Sequence, residues 1–246
     1  MKTKILILGP KGMLGSMAMK YFTSKGYEVH HCGTRFESPH FADTINGFNK
    51  FSQVDFILNC VGAIPQKTNN FKVNTDLPIW LENNLNVATT RVIHPGTDCE
   101  MDNDNYGLSK KLASDYIKLY GTKTKILKTS IVGPEEGSGH GLMAWLGDQE
   151  GEVNGYTQAI WNGNTTLEWC KQAEQLMLNW DAYGTETVLE GKPISKFDML
   201  KLFAEFYDKT ITVKPINLGK NKCLTGTVKT KSLKEQLDEL KEFITL

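Results

Sequence analysis

Cysteine is scarce and scattered. Five occur in 246 residues, Cys32, Cys60, Cys99, Cys170 and Cys223, an odd number with no CxxC pair. That spacing excludes a disulfide framework and a zinc knuckle, and it fits free thiols in a reducing cytoplasm. Histidine is as sparse: none of the five (His30, His31, His40, His94 and His140) stands at HExxH or another ligand spacing, so no metal is expected. No apolar run approaches the length of a membrane span. The one after Lys2 and Lys4, Ile5 to Leu8, is too short for a signal-peptide core. An excess of charge is also missing. Lys plus Arg total 28 and Asp plus Glu total 28, so the formal net charge is zero, which excludes a nucleic-acid binder that works through a global positive field. Internal repeats and low-complexity tracts are absent too. What remains is 40% apolar and 23% charged, an ordinary globular composition, in a length that suits one large domain or two small ones.

The first part of the chain alternates. Ile5-Leu-Ile-Leu8 is an all-apolar run of the kind buried on both faces of a parallel sheet. Gly9 to Gly15 is a glycine-rich turn, and Met13 to Lys25 has helical spacing closed by Gly26. Tyr27 to Cys32 reads as a second strand, which completes a βαβ unit. Further strands are expected at Val54–Val61, Thr90–His94 and Thr124–Val132, with helices at Asn74–Leu85 and Tyr106–Tyr120 between them. Such alternation implies an α/β fold with a mostly parallel, doubly wound sheet. After Gly133 the periodicity fades. Pro134 to Gly163 holds seven glycines and reads as a long functional loop. Helices are expected near Thr166–Trp180, Ser195–Tyr207 and Ser232–Phe243.

Gly9-Pro-Lys-Gly12-Met-Leu-Gly15 has the spacing GxxGxxG. Bare spacing is weak, but its place between a buried strand and a helix is specific. A tight turn lets backbone approach a pyrophosphate, and the helix start offers N–H donors and a positive dipole. After the second strand the chain reads Cys32-Gly33-Thr34-Arg35, with no acid until Glu37. An acid there would bind the ribose hydroxyls of NAD. Arg35, with Lys11 in the glycine turn, suits a 2′-phosphate instead, so NADP(H) is expected, with NAD(H) as the alternative.

Two YxxxK pairs occur, Tyr21–Lys25 and Tyr106–Lys110. Either would share a helix face. Tyr21–Lys25 falls at the far end of the first helix, whereas Tyr106–Lys110 follows the strand ending at His94 and a short loop carrying Thr97. The glycine turn, the Asn-Cys strand end, the Thr-Asp pair and YxxSK stand in the order of the extended short-chain dehydrogenase/reductase family, which the chain resembles. Within it the chain is most similar to the dTDP-4-dehydrorhamnose reductase group of nucleotide-sugar reductases. The segments that carry this are Val54-Asp-Phe-Ile-Leu-Asn-Cys60, Gly96-Thr-Asp-Cys99, Asn105-Tyr-Gly-Leu-Ser-Lys110 and Leu127-Lys-Thr-Ser-Ile-Val-Gly133. Gly151 to Tyr156, Trp161 to Leu167, Pro193 to Phe197 and the closing helix fit as well, so the likeness spans nearly the whole chain.

The resemblance implies a Rossmann-type NADP-binding domain over 1–132, with 158–185 packing back onto it. It also implies a smaller substrate-binding lobe from 133–157 and 186–246. It implies a catalytic set of Thr97, Tyr106 and Lys110. Tyr106 would protonate the carbonyl oxygen, and Lys110 would lower the tyrosine pKa and hold the nicotinamide ribose. Cofactor contacts would come from Gly9, Lys11, Gly12, Met13, Leu14, Gly15, Arg35, Asp43, Cys60, Val61, Gly62, Tyr106, Lys110 and Ser130. Substrate contacts would come from Thr97, Asp98, Tyr106, Trp161 and Asn162. Trp145 and Tyr156 are candidates for stacking on a base.

The activity implied is NADPH-dependent reduction of a 4-keto-6-deoxy nucleotide sugar for deoxysugar or surface-polysaccharide synthesis. Two alternatives stand beside it. One is an epimerase/reductase using Cys99 or His140 as an extra acid/base; the other is a non-catalytic cofactor-binding regulatory subunit. One departure bears on them: Thr97 and Tyr106 are nine residues apart, where the family carries a much longer loop. The expected partner is a small nucleotide sugar. A homodimer is a further expectation, with Tyr116, Leu119 and Tyr120 as interface or ordinary packing residues.

Overall fold

The structure, a computed structural model, describes residues 2–48, 53–85, 89–135 and 139–245. In chain order the elements open with β1 (Lys4–Leu8), α1 (Met13–Ser24), β2 (Glu28–Cys32), α2 (Phe41–Gly47), β3 (Phe56–Asn59) and α3 (Lys72–Asn84). They continue with β4 (Arg91–Gly96), α4 (Asn105–Tyr120), β5 (Thr124–Lys128), β6 (Ile131–Val132), α5 (Leu142–Gly147), β7 (Glu152–Tyr156), β8 (Ile160–Trp161) and β9 (Asn164–Thr165). Last come α6 (Thr166–Leu178), β10 (Glu186–Glu190), β11 (Ile194–Ser195), α7 (Lys196–Phe206), β12 (Thr212–Ile216), β13 (Val228–Lys229) and α8 (Leu233–Thr245). They form two compact units, Met1–Lys128 with Cys170–Thr187, and Thr129–Trp169 with Val188–Leu246.

The first unit is a Rossmann-type α/β layer structure. Its sheet runs β10-β5-β4-β3-β1-β2, and β1 to β5 pair in parallel. The apolar runs become the buried strands: Ile5, Leu6, Ile7, Ile57, Leu58, Val92 and Ile93 are fully covered. Leu77 and Leu81 of α3 and Ile45 of α2 pack against one face. Each such side chain contributes about 1.5–3 kcal/mol by leaving water. Buried Glu82 near the end of α3 organises the turn into β5. Its carboxylate accepts from the N–H groups of Thr122 (2.7 Å) and Thr124 (3.0 Å) and from the Thr122 hydroxyl (3.0 Å). Burial pushes that carboxyl up, but these hydrogen bonds outweigh it and hold it below its ordinary value. The sheet order reverses between β1 and β3, which opens a crevice at their carboxyl ends.

The second unit is built from small pairs. Strands β6 and β9 pair in parallel, as do β7 and β12, while β8 and β11 are antiparallel. At Leu189 and Glu190 β10 continues beside β13, the seventh strand in the order. A buried polar network closes this unit. Asn164 donates to the Thr129 hydroxyl (2.8 Å) and accepts from Gln236 (2.9 Å), whose own carbonyl takes the Thr165 N–H (2.7 Å).

Three expectations differ from what is found. The single strand over Thr124–Val132 is two, because Ile131 and Val132 leave the large sheet to pair with Asn164 and Thr165. The stretch 134–163, read as one loop, holds α5, β7 and β8 within its described residues. Gly155 of β7 marks close packing: a Cβ on it would lie 2.6 Å from Val213 and 2.8 Å from the Phe197 Cα. Helix α2 and strand β10 carry no periodicity that the sequence reading registered.

Candidate functional site

Three turns at the carboxyl ends of the adjacent strands β2, β1 and β3 enclose a cleft of about 670 Å³ in the first unit. The glycine turn forms its floor. Gly9 has φ +71°, the left-handed region that glycine favours, and its carbonyl accepts the Gly12 N–H at 3.1 Å. A Cβ on Gly15 would lie 2.0 Å from the Gly9 carbonyl oxygen, so no side chain fits there. Gly12 caps α1 without a side-chain hydrogen bond, and the first helical turn holds no acid, so the positive end of the helix is left uncompensated. This is a cradle that fits a dinucleotide pyrophosphate.

The expected cofactor residues divide. Gly9, Lys11, Gly12, Arg35, Val61 and Gly62 line the cleft. Met13, Leu14 and Gly15 open α1 behind it, with Leu14 and Gly15 buried. Cys60 lies under the turn, its carbonyl oxygen 3.0 Å from where a Gly9 Cβ would stand. Asp43 is exposed on α2 and is not among the lining residues. Ser130 belongs to the second unit, where its carbonyl accepts the Asn164 N–H at 2.9 Å. The sequence reading missed Phe36, Phe41, Lys67, Thr68, Val73 and Leu77, which also line the cleft. The Lys67 segment follows the carboxyl end of β3 as Arg35 follows that of β2, and that position is its signal in the sequence.

Tyr106 and Lys110 lie on α4 of the same unit. Tyr106 is half-buried, with the Phe71 ring edge-on at 5.7 Å. Burial pushes its hydroxyl pKa up, and the neighbouring Cys99, Asp98, Asp104 and Glu100 add to this. The expected lowering of Tyr106 by Lys110 is therefore not what this structure shows. Lys110 is buried and donates to the Pro95 carbonyl at 2.9 Å. Burial pushes its ammonium down to about 8, against the opposing charges of Glu100 and Cys99. The rival pair is structural: the buried Tyr21 hydroxyl donates to Glu174 at 2.6 Å.

Beneath Lys110 the polar groups are ordered. The Asn59 carbonyl oxygen accepts the Val61 N–H (3.3 Å), which turns the Asn59 amide nitrogen to His94 Nδ1 (3.1 Å). Nδ1 is then the acceptor, so the neutral ring carries its proton on Nε2. Burial, then the charge of Lys110, holds His94 well below its ordinary pKa.

The link from Thr97 to Tyr106, nine positions on, is a capped turn. Thr97 caps the 3₁₀ turn Asp98–Met101 in a capping box with Glu100. The Thr97 hydroxyl donates to Asp98 Oδ1 (3.0 Å) and accepts the Cys99 N–H (3.3 Å). Glu100 is buried. It accepts from the Thr97 N–H (2.9 Å) and the Ser114 hydroxyl (3.0 Å), and pairs with Lys128 (2.6 Å). Asp104 caps α4 through the Gly107 N–H at 2.7 Å. A Cβ on Gly107 would lie 2.3 Å from the Cys99 carbonyl oxygen, so the helix start rests directly on the turn.

The substrate candidates of the second unit divide between buried and exposed positions. Asn162 is buried and clasps Leu224, donating to its carbonyl (2.7 Å) and accepting its N–H (2.9 Å). Trp161 is buried on β8. Trp145 and Tyr156 are exposed.

The fold has close counterparts among solved structures. A dTDP-4-dehydrorhamnose reductase of Clostridium acetobutylicum is 18% identical, with a TM-score of 0.76 over 99% of this chain and 100% of that one. A dTDP-4-dehydrorhamnose reductase of Bacillus anthracis, in complex with NADP, is 15% identical, with a TM-score of 0.73 over 100% of both chains. A UDP-glucose 4-epimerase of Thermotoga maritima, solved with UDP-glucose, is 16% identical, with a TM-score of 0.71 over 99% of each. At these identities the likeness is one of fold. No protein-family model matches the chain, and no curated protein does.

Proposed function

We propose that this chain is an NADPH-dependent reductase of a 4-keto-6-deoxy nucleotide sugar, serving deoxysugar or surface-polysaccharide synthesis in the cytoplasm. The observation that carries this reading is the presence, in one unit, of the glycine-floored cleft together with Tyr106 and buried Lys110. In this reading the first unit is the cofactor domain and the second the substrate lobe. NADPH, when bound, supplies the hydride. The Gly9–Gly15 turn holds the pyrophosphate, Arg35 and Lys11 take the 2′-phosphate, and Val61 and Gly62 border the adenosine. The Lys110 ammonium holds the nicotinamide ribose. Tyr106, kept protonated by its surroundings, donates its proton to the ketone oxygen. Thr97 turns its hydroxyl from Asp98 to that same oxygen. Trp145 and Tyr156 serve the base; Trp161, Asn162, Asp43 and Ser130 are given no direct role in this chemistry. The exposed apolar stripe Leu108, Leu112, Leu119 and Tyr120 on α4 supports a homodimer through that helix.

A second reading, an epimerase/reductase, has one observation of its own. The Cys99 thiol donates to Asp98 Oδ1 at 3.7 Å, and its charge would be felt by both Tyr106 and Lys110. In this second reading that thiol exchanges a proton beside the reacting carbonyl. The test of both is NADPH oxidation with dTDP-, UDP- and GDP-linked 4-keto-6-deoxy sugars in deuterated water. Oxidation with a product that takes deuterium only on oxygen supports the reductase. Deuterium on a ring carbon next to the ketone, absent in Cys99→Ser, supports the epimerase/reductase. Tight NADPH binding without oxidation of any sugar overturns both in favour of a cofactor-binding regulatory protein.

A further inference from the structure

The cleft holds one more cation than the reading above uses. Lys11 follows β1, Arg35 follows β2 and Lys67 follows β3, three neighbouring strands of the sheet. All three are exposed, and among the described residues none of their side chains is ion-paired or hydrogen-bonded. The one carboxylate lining the cleft, Glu37, is likewise unpaired. Elsewhere in this neutral chain many lysines have found acids: Lys128 with Glu100, Lys214 with Glu152, Lys229 with Glu190, Lys241 with Asp208. Three cations line one cleft without counter-ions, an arrangement that favours an anionic ligand there. The charge excess of the cleft lining is three minus one, or two, which matches a phosphate monoester dianion. Apolar side chains line the cleft too: Phe36 meets the buried Phe41 edge-to-face at 5.3 Å, and Val73 and Leu77 are also among the lining residues. Thr68 also lines the cleft. Its hydroxyl oxygen accepts the Asn70 N–H at 3.0 Å, which leaves its proton for an acceptor in the cleft.

We infer that Lys67 is a specificity residue, the third cation around the 2′-phosphate of an adenosine whose base lies on the Phe36–Phe41 wall. This rests on the dinucleotide reading of the cleft and adds a residue from the β3–α3 segment to it. The experiment is isothermal titration of the full chain with NADPH, NADH, 2′,5′-ADP and 5′-AMP, for the wild type, Lys67→Ala, Lys67→Arg and Arg35→Ala. For Lys67→Ala we expect about tenfold weaker binding of NADPH and 2′,5′-ADP, less than about twofold change for NADH and 5′-AMP, and recovery in Lys67→Arg. Equal losses for NADPH and NADH would place Lys67 on the shared pyrophosphate and overturn the inference. So would an unchanged Lys67→Ala beside a weakened Arg35→Ala, a result that leaves the proposed function standing. A wild type that binds no dinucleotide would overturn both.

Discussion

The two units treat their polar side chains differently. In the first, several groups at the cleft and on α4 keep something to give, namely Lys11, Arg35 and Lys67 without counter-ions among the described residues and Tyr106 with its proton held by its surroundings, although Thr97 is spent on Asp98 and the Cys99 N–H. In the second, the singled-out Asn162 gives both ends of its amide to Leu224, and Asn164 and Gln236 satisfy one another. A residue type carried over by motif is thus not enough. A side chain whose hydrogen bonds are all spent inside the fold is a poor binder, because a ligand must first break what it replaces.

The contrast can be broken or sharpened by substitution. The largest effect belongs to Tyr106→Phe. It is expected to lower NADPH oxidation about 10²–10⁴-fold while leaving NADPH affinity within about twofold, as stopped-flow and titration would show. Retained oxidation would remove Tyr106 as the proton donor. Next comes Asn162→Ala, expected to cost about 1–3 kcal/mol of stability by stranding the Leu224 backbone groups, read as a lower denaturant midpoint. A change in sugar KM at unchanged stability would reverse the contrast and return Asn162 to the substrate.

The smallest effect is at Glu82, a spent group in the first unit. Its native pKa lies below the unfolded value, so its stabilisation is complete above the ordinary carboxylate range and is lost as pH falls through the native value. Glu82→Gln is expected to lower Tm by about 2–4 °C at neutral pH and to show a shallower loss on acidification. Parallel acid profiles would deny Glu82 that role.

Much of the first unit is legible in its residues. Ile5–Leu8, the glycine turn and the apolar stripe of α1 agree on strand, turn and helix, since a strand buried on both faces leaves no polar position to confuse the pattern. Arg35 was visible because a rule exists for the end of the second strand. Lys67 was not, because the segment after β3 has no period and its meaning comes only from lying beside the other two turns. In the second unit the same sequence signal changed meaning. Glycines read as a loop because they are also what close packing demands, as Gly155 against Val213 and Phe197 shows. The capped link after Thr97 was legible only as a length, since its geometry depends on Glu100 reaching Lys128 and Ser114 far along the chain.

The division of the chain has a consequence for its synthesis. The first unit's last piece, Cys170–Thr187, leaves the ribosome after the whole of Thr129–Trp169, a piece of the second unit. Until then the sheet of the first unit lacks the strand beyond β5, and the β5 edge stands open to other chains. Roughly sixty residues, several seconds at ribosomal speed, separate the synthesis of β5 from that of the strand that pairs with its outer edge.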